Sequence, residues 1–339
     1  MSEVLVNVFR GEKVENIHRG DVVAVNRKGE IIAAAGNPYK VTFMRSCAKP
    51  IQAFSVLESG AADLYGFDDK EIAVMCSSHY AEDFHVKAVE DILKKIGLSE
   101  DRLNCGATYS LNEKVTEQLI KSGKTRRRIY NNCSGKHAGM LALAVKEGID
   151  IQDYDAFHNK VQQIMLRNTA YFCGIEADKI GIGIDGCGTP VYEMPIYNMA
   201  MAFSKIAKPE GLPEKKAYII DRIAAAMNKH PEMIAGTGGF CTELMRNTGG
   251  RMIAKLGAAA VYCVGIRDLG IGIAVKIESG AADVLSTVVL ETLKQLEYVN
   301  AAELEKLKEF HYKNNLNTQN KIIGQIAPVF KLERKNHIL

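Results

Sequence analysis

The sequence lacks any apolar run approaching the ~20 residues that a membrane-spanning helix requires, so no membrane partner is expected. Met1 to Lys13 mixes charges into a short apolar stretch. No basic region followed by an apolar one is present, so no secretory signal is expected. An excess of one charge is missing too: 43 Lys and Arg face 40 Asp and Glu, a net charge of +3. That is too little to argue for nucleic acid. The most basic stretch, Lys124-Thr125-Arg126-Arg127-Arg128, has no interleaved aromatic residues and reads as a solvated loop. Neither CxxC nor HExxH occurs, so spacing gives no strong zinc signal. The eight cysteines are scattered, unlike those of a small disulfide scaffold, and point to reduced thiols in a cytoplasmic protein. Internal repeats and low-complexity linkers are absent. No domain boundary is visible, and one catalytic domain over 1–339 is expected.

What is present is an ordinary globular composition, 47% hydrophobic and 24% charged. Strands are expected at Val4 to Phe9, Asp21 to Val25, Glu30 to Ala34 and Val41 to Met44. Asn26-Arg27-Lys28-Gly29 forms a hairpin turn with glycine left-handed. Helical repeats follow at Ser46 to Glu58, Asp69 to Cys76, Ala81 to Ile96, Ser134 to Lys146, Tyr154 to Phe172 and Glu214 to Lys229. Lys179 to Val191 reads as strand plus loop. Strands return at Arg251 to Lys255, Ala259 to Val264 and Ile271 to Ile277, before a helix from Ala281 to Leu296. Segregated strands and helices imply an α+β fold: an antiparallel sheet with flanking helices, and a mainly helical region, roughly 46–247, inserted between strand-rich ends.

Arg45-Ser46-Cys47-Ala48-Lys49-Pro50 carries the first chemical signal. If Ser46 opens a helix, Ser46 and Lys49 share a face, and Pro50 suits a first turn. A serine hydroxyl attacks only when a base takes its proton, and a lysine amine serves when its pKa is lowered. Serine three before lysine is common on helix surfaces, so company decides. Ser77-Ser78-His79 follows an apolar run, and Lys255-Leu256-Gly257 lies among strands. That order matches the penicillin-recognising Ser-x-x-Lys enzymes. It pairs Ser46 with Lys49 and Ser78 with Lys255, and neighbouring cations depress each other's pKa.

Two further clusters stand out. Asn131-Asn132-Cys133-Ser134-Gly135-Lys136-His137 is denser in polar residues than a helix cap needs. Gly181-Ile182-Gly183-Ile184-Asp185-Gly186 matches a dinucleotide fingerprint by letter, but no helix opens there. Asp185 can instead bind an α-ammonium or orient a lysine, or serve as a simple turn aspartate.

Together these motifs, with His18-Arg19-Gly20, Asp185-Gly186-Cys187-Gly188 and His230-Pro231-Glu232-Met233, resemble the bacterial type II L-asparaginases of the Rhizobium etli kind across nearly the whole chain. The resemblance implies a serine β-lactamase/glutaminase-like fold, a homodimer, and hydrolysis of L-asparagine to L-aspartate and ammonia. It implies Ser46 as nucleophile with Lys49, Ser78 with Lys255 as a second pair, and Arg45, Asp185 and His79 around the substrate. Cys133, Lys136 and Cys187 match a site where family members can hold zinc, and no cofactor is required. Two departures are Cys47 after the nucleophile and the absence of proline after His158. The rivals are a glutaminase or another Ser-x-x-Lys amidohydrolase, and a non-catalytic zinc- or amino-acid-binding module.

Overall fold

The computed structural model describes residues 1–335. The chain folds as α+β and divides into two compact units. One comprises residues 1–47, 194–208 and 243–339; the other comprises 48–193 and 209–242.

The first unit is built on a nine-stranded sheet. Its antiparallel order runs Lys313–Leu316, Ile322–Pro328, Glu3–Arg10, Lys13–Val25, Ile271–Ile277, Val261–Ile266, Met252–Gly257. Ile31–Ala35 joins Lys13–Val25 through the hairpin at Asn26, where Gly29 has φ 83° as the turn requires. The strand Ile271–Ile277 is buried at every residue, so both its faces are covered. The helix Ile196–Ala207 packs on it where Gly265 and Gly272 pair across the strands. A Cβ on Gly272 would lie 1.8 Å from the Ala200 carbonyl oxygen, and one on Gly265 would lie 2.7 Å from that of Phe203. Only glycine admits the helix backbone that close. Leu285–Gln295 also packs against the sheet; it begins four residues later than the apolar pattern suggests.

The second unit is mainly helical. Lys49–Glu58 is buried along nearly its whole length and packs on Ser134–Glu147, Lys160–Cys173 and Glu214–Lys229. Phe54 and Phe172 meet edge-to-face at 4.8 Å. Asp69–Met75 is capped by Asp68 in a reciprocal box with Glu71. Lys160–Cys173 starts six residues later than its periodicity predicts, because Asn159 caps it by accepting from Val161 N. The side chain of Tyr154 serves elsewhere. Gly181–Ile184 pairs with Pro190–Pro195 across a tight loop. Among the described residues no helix is long and apolar enough to cross a membrane.

Candidate active site

In the first unit Ser46 lies on a 3-10 turn, Arg45–Ala48, rather than inside the α-helix that the periodicity predicts. The α-helix starts at Lys49, with Pro50 in its first turn. Arg45 has φ 51°, a conformation costly for a side-chain-bearing residue and concentrated at functional sites. The turn is fixed to the edge strand Met252–Gly257. Cys47 Sγ donates to the Lys255 carbonyl at 3.1 Å. A Cβ on Gly257 would lie 3.1 Å from the Met44 carbonyl oxygen and 3.2 Å from Cys47 Sγ. Ser46 is 8% exposed, and Lys255 is fully buried with Nζ donating to the Leu256 carbonyl at 2.7 Å. The residue after Ser46 is thus hydrogen-bonded to the backbone of Lys255, far away in sequence.

In the second unit Lys49 is 1% exposed. Its Nζ donates to the Ser77 carbonyl, to the Asn132 carbonyl at 3.1 Å and to Ser78 Oγ at 3.2 Å. Two of these directions can only accept. The third is a hydroxyl, which accepts from an ammonium or donates to a neutral amine. A proton can therefore pass between Lys49 and Ser78 without either side chain moving. Gly135 makes this possible: a Cβ there would lie 2.3 Å from the Val74 carbonyl oxygen. The start of Ser134–Glu147 can rest on the end of Asp69–Met75 only without a side chain, and that contact brings Asn132 and Ser77 to the same amine.

His79 reinforces the junction. Ala81 N donates to its Nδ1 at 3.1 Å, so Nε2 carries the proton and donates to Ser134 Oγ at 2.8 Å. Ser134 passes a bond to the Ile129 carbonyl. Burial, then the charges of His85 and Lys49, hold His79 well below its usual pKa, and it is neutral. Both ring nitrogens are engaged inside this unit, which suits positioning rather than substrate contact.

Cys133, Lys136 and Cys187 come together, with Thr189 beside them. Lys136 Nζ donates to Cys187 Sγ at 3.0 Å and to Thr189 Oγ1 at 2.7 Å. The Cys187 thiol is pushed far down, first by a hydrogen bond from Cys133 and then, against burial, by Lys136. Cys133 is pushed up correspondingly, by that bond and by burial. Burial opposes the charge on Lys136, yet Cys187 and Cys133 outweigh it and raise the lysine. These shifts favour a thiolate on Cys187 facing the ammonium of Lys136. Tyr154 Oη accepts from Asn104 N and donates to His137 Nδ1 at 2.7 Å. His137 Nε2 makes no hydrogen bond among the described residues but interacts with Cys187. Thr189 and His137 lie inside the sequence runs; what was not readable is their convergence on one sulfur. Asp185 heads the loop, accepting through its side chain from Gly186 N at 2.8 Å, and its charge acts on Lys136.

Among the described residues no three His, Cys, Asp or Glu side chains are placed to hold a metal ion. The two cysteine sulfurs are suitable soft donors. Lys136, however, stands among them as the cation, donating to the sulfur a metal would use. A zinc ion on this set would need Lys136 as a neutral amine, because its Nζ donates to Cys187 Sγ.

The profile of the L-asparaginase II family matches residues 6–328. The chain belongs to this family. It is an amidohydrolase. No curated protein matches it. Among solved structures it is similar to a Bacteroides dorei protein described as a candidate beta-lactamase, at 12% identity and TM-score 0.42, covering 81% of this chain and 93% of that one. It is also similar to Mglu in its tris and glutamate form, at 12% identity and TM-score 0.35, covering 86% of this chain and 60% of that one. Mglu in its native form gives TM-score 0.38, again at 12% identity, covering 83% of this chain and 65% of that one.

Proposed function

We propose that this family member hydrolyses the side-chain amide of L-asparagine through an acyl-enzyme on Ser46. The observation that carries the reading is the buried amine of Lys49, fixed by two backbone carbonyls and sharing its remaining direction with Ser78 Oγ. Ser46 lies in the turn Arg45–Ala48, which runs directly into the helix bearing this lysine. In the first step Ser46 Oγ attacks the amide carbon and its proton reaches Lys49 Nζ by way of Ser78 Oγ. That proton, relayed through Ser78, leaves with the amide nitrogen as ammonia. Water then attacks the ester, giving its proton back towards Ser46 with Lys255 and Ser78 assisting. Arg45 receives the substrate's α-carboxylate and Asp185 its α-ammonium. His79 acts by holding Ser134 and the loop around Asn132.

Zinc stays outside these steps, since it would first have to displace a proton from Lys136. The eight cysteines are free and buried, which suits a reducing cytoplasm, and assembly as a homodimer belongs to the same reading. The test is ammonia release from L-asparagine by the purified protein, with L-glutamine and a chromogenic β-lactam as rival substrates. Faster turnover of asparagine supports the reading. Ammonia from glutamine alone, or ring opening alone, overturns it.

A further inference from the structure

The strand Ile271–Ile277 carries a buried lysine that none of these steps uses. Directly opposed residues of an antiparallel sheet project from the same side. The registers Lys255 to Cys263 to Ala274, and Gly257 to Val261 to Lys276, therefore put Lys255 and Lys276 on one face. The helix Ile196–Ala207 covers that face at the opposite end, over Gly265 and Gly272. Lys276 is 8% exposed, and its Nζ donates to the Ala259 carbonyl at 2.5 Å. That carbonyl belongs to a pair of left-handed alanines, Ala259 at φ 57° and Ala260 at φ 55°.

Around this ammonium the charges are unbalanced. Burial, then Lys40 and Arg45, push it below the usual lysine range, while Asp21 and Glu278 pull the other way. Asp21 is already committed, accepting from Ser2 Oγ at 2.9 Å and from Asn37 N at 2.7 Å. Arg45 borders the same loop, its Cβ 3.3 Å from where a Cβ on Gly257 would stand. It is also the residue before Ser46. Arg45 thus stands at the serine turn and acts on the Lys276 charge together with Lys40, against Asp21 and Glu278. A desolvated ammonium such as Lys276 gains from an anion that arrives with its ligand.

We propose that Lys276 joins Arg45 in a subsite for the α-carboxylate of the amide substrate, and so makes the enzyme selective for free amino acid amides. The inference deepens the asparaginase reading and rests on it. Strain in the Ala259-Ala260 pair aims a carbonyl at Lys276 and keeps the ammonium oriented on this face. The lysine is a specificity residue; the chemistry at the amide carbon does not pass through it.

The experiment compares wild type, Lys276→Met and Lys276→Arg on L-asparagine and on its α-carboxamide, which lacks the charge. For Lys276→Met the KM for asparagine should rise ~10- to 100-fold, the effect of losing one charge-assisted hydrogen bond. Its kcat should stay within ~3-fold, and Lys276→Arg should retain most of the affinity. Kinetics on the carboxamide should be nearly unchanged. An equal loss on both substrates, or no loss on either, overturns the proposal. If Lys276→Met does not fold, Lys276→Gln keeps a donor for Ala259 and carries the same comparison. If wild type releases no ammonia from asparagine, the asparaginase reading fails by itself. Calorimetric binding of L-aspartate against its α-amide then tests the subsite alone, and binding of aspartate that is insensitive to Lys276 overturns it.

Discussion

Lys49 and Ser78, 29 positions apart in sequence, share a hydrogen bond of 3.2 Å at an amine whose other two donors are held by backbone carbonyls. Such an amine has one direction open to proton exchange, and the residue in that direction is a hydroxyl. The geometry separates two duties of one lysine. Carbonyls fix it in space, and the serine connects it to whatever proton the reaction moves.

Replacing Lys49 by Met should therefore preserve folding and remove turnover. A methionine matches the buried stem, and the carbonyls of Ser77 and Asn132 lose a partner. Ammonia release should fall by ~10²-fold or more, the usual worth of a general base. Steady-state kinetics beside a thermal melt check this. Activity within ~10-fold of wild type in a folded variant would show that the proton goes elsewhere.

Gly135→Ala tests how the lysine is held. The added methyl would meet the Val74 carbonyl oxygen at 2.3 Å, a backbone atom that cannot rotate away. Overpacking of this kind costs ~1–3 kcal/mol. The shift should also pull Asn132 from Lys49, so kcat should fall together with the melting temperature. Gly106→Ala, where an added Cβ meets nothing within 4 Å, is the control and should leave both unchanged.

Stability should decline as the pH falls from about 6.5 towards 4, and His85 should account for much of the slope. Burial lowers this histidine from 6.5 to about 4, with the Glu232 carbonyl bond opposing. Below 6.5 the unfolded chain takes up a proton that the folded one refuses until about 4. Folding therefore loses ~3 kcal/mol across that window and is unaffected above it. His79, neutral for the same reason, acts in the same direction. His85→Gln keeps a donor for the Glu232 carbonyl, which accepts from Nε2 at 3.0 Å, and should flatten part of the curve. Thermal melts at pH 7, 6, 5 and 4 measure it; parallel curves for the two proteins would contradict the assignment.

Much of the frame was readable from the residues. The strand Ile271–Ile277 and the helix Glu214–Lys229 fall where periodicity puts them, because each carries an uninterrupted signal between clear stops. The hairpin Lys313–Leu316 with Ile322–Pro328 has no such signal. Its residues are half-buried or exposed on both faces, so no alternation marks it. The first half of Lys13–Val25 is exposed for the same reason and is a strand only because Glu3–Arg10 pairs with it. At the site, the motifs named the participants but not their partners. Spacing suggests Lys49 with Ser46 and Ser78 with Lys255, whereas the contact between Lys49 and Ser78 depends on a helix crossing at Gly135. Nothing local encodes that crossing. Tyr154, by contrast, reads as the first turn of a helix and is instead the hydroxyl that orients His137.

The central claim is that the scissile acyl group passes through Ser46, and trapping it tests that most directly. Protein quenched in acid during turnover of L-asparagine should yield, on peptide mass spectrometry, an aspartyl ester on the peptide containing Ser46. Ser46→Ala should lack the adduct and lose at least ~10³-fold in ammonia release. An adduct on another residue, or near-normal ammonia release from the alanine variant, would contradict the account.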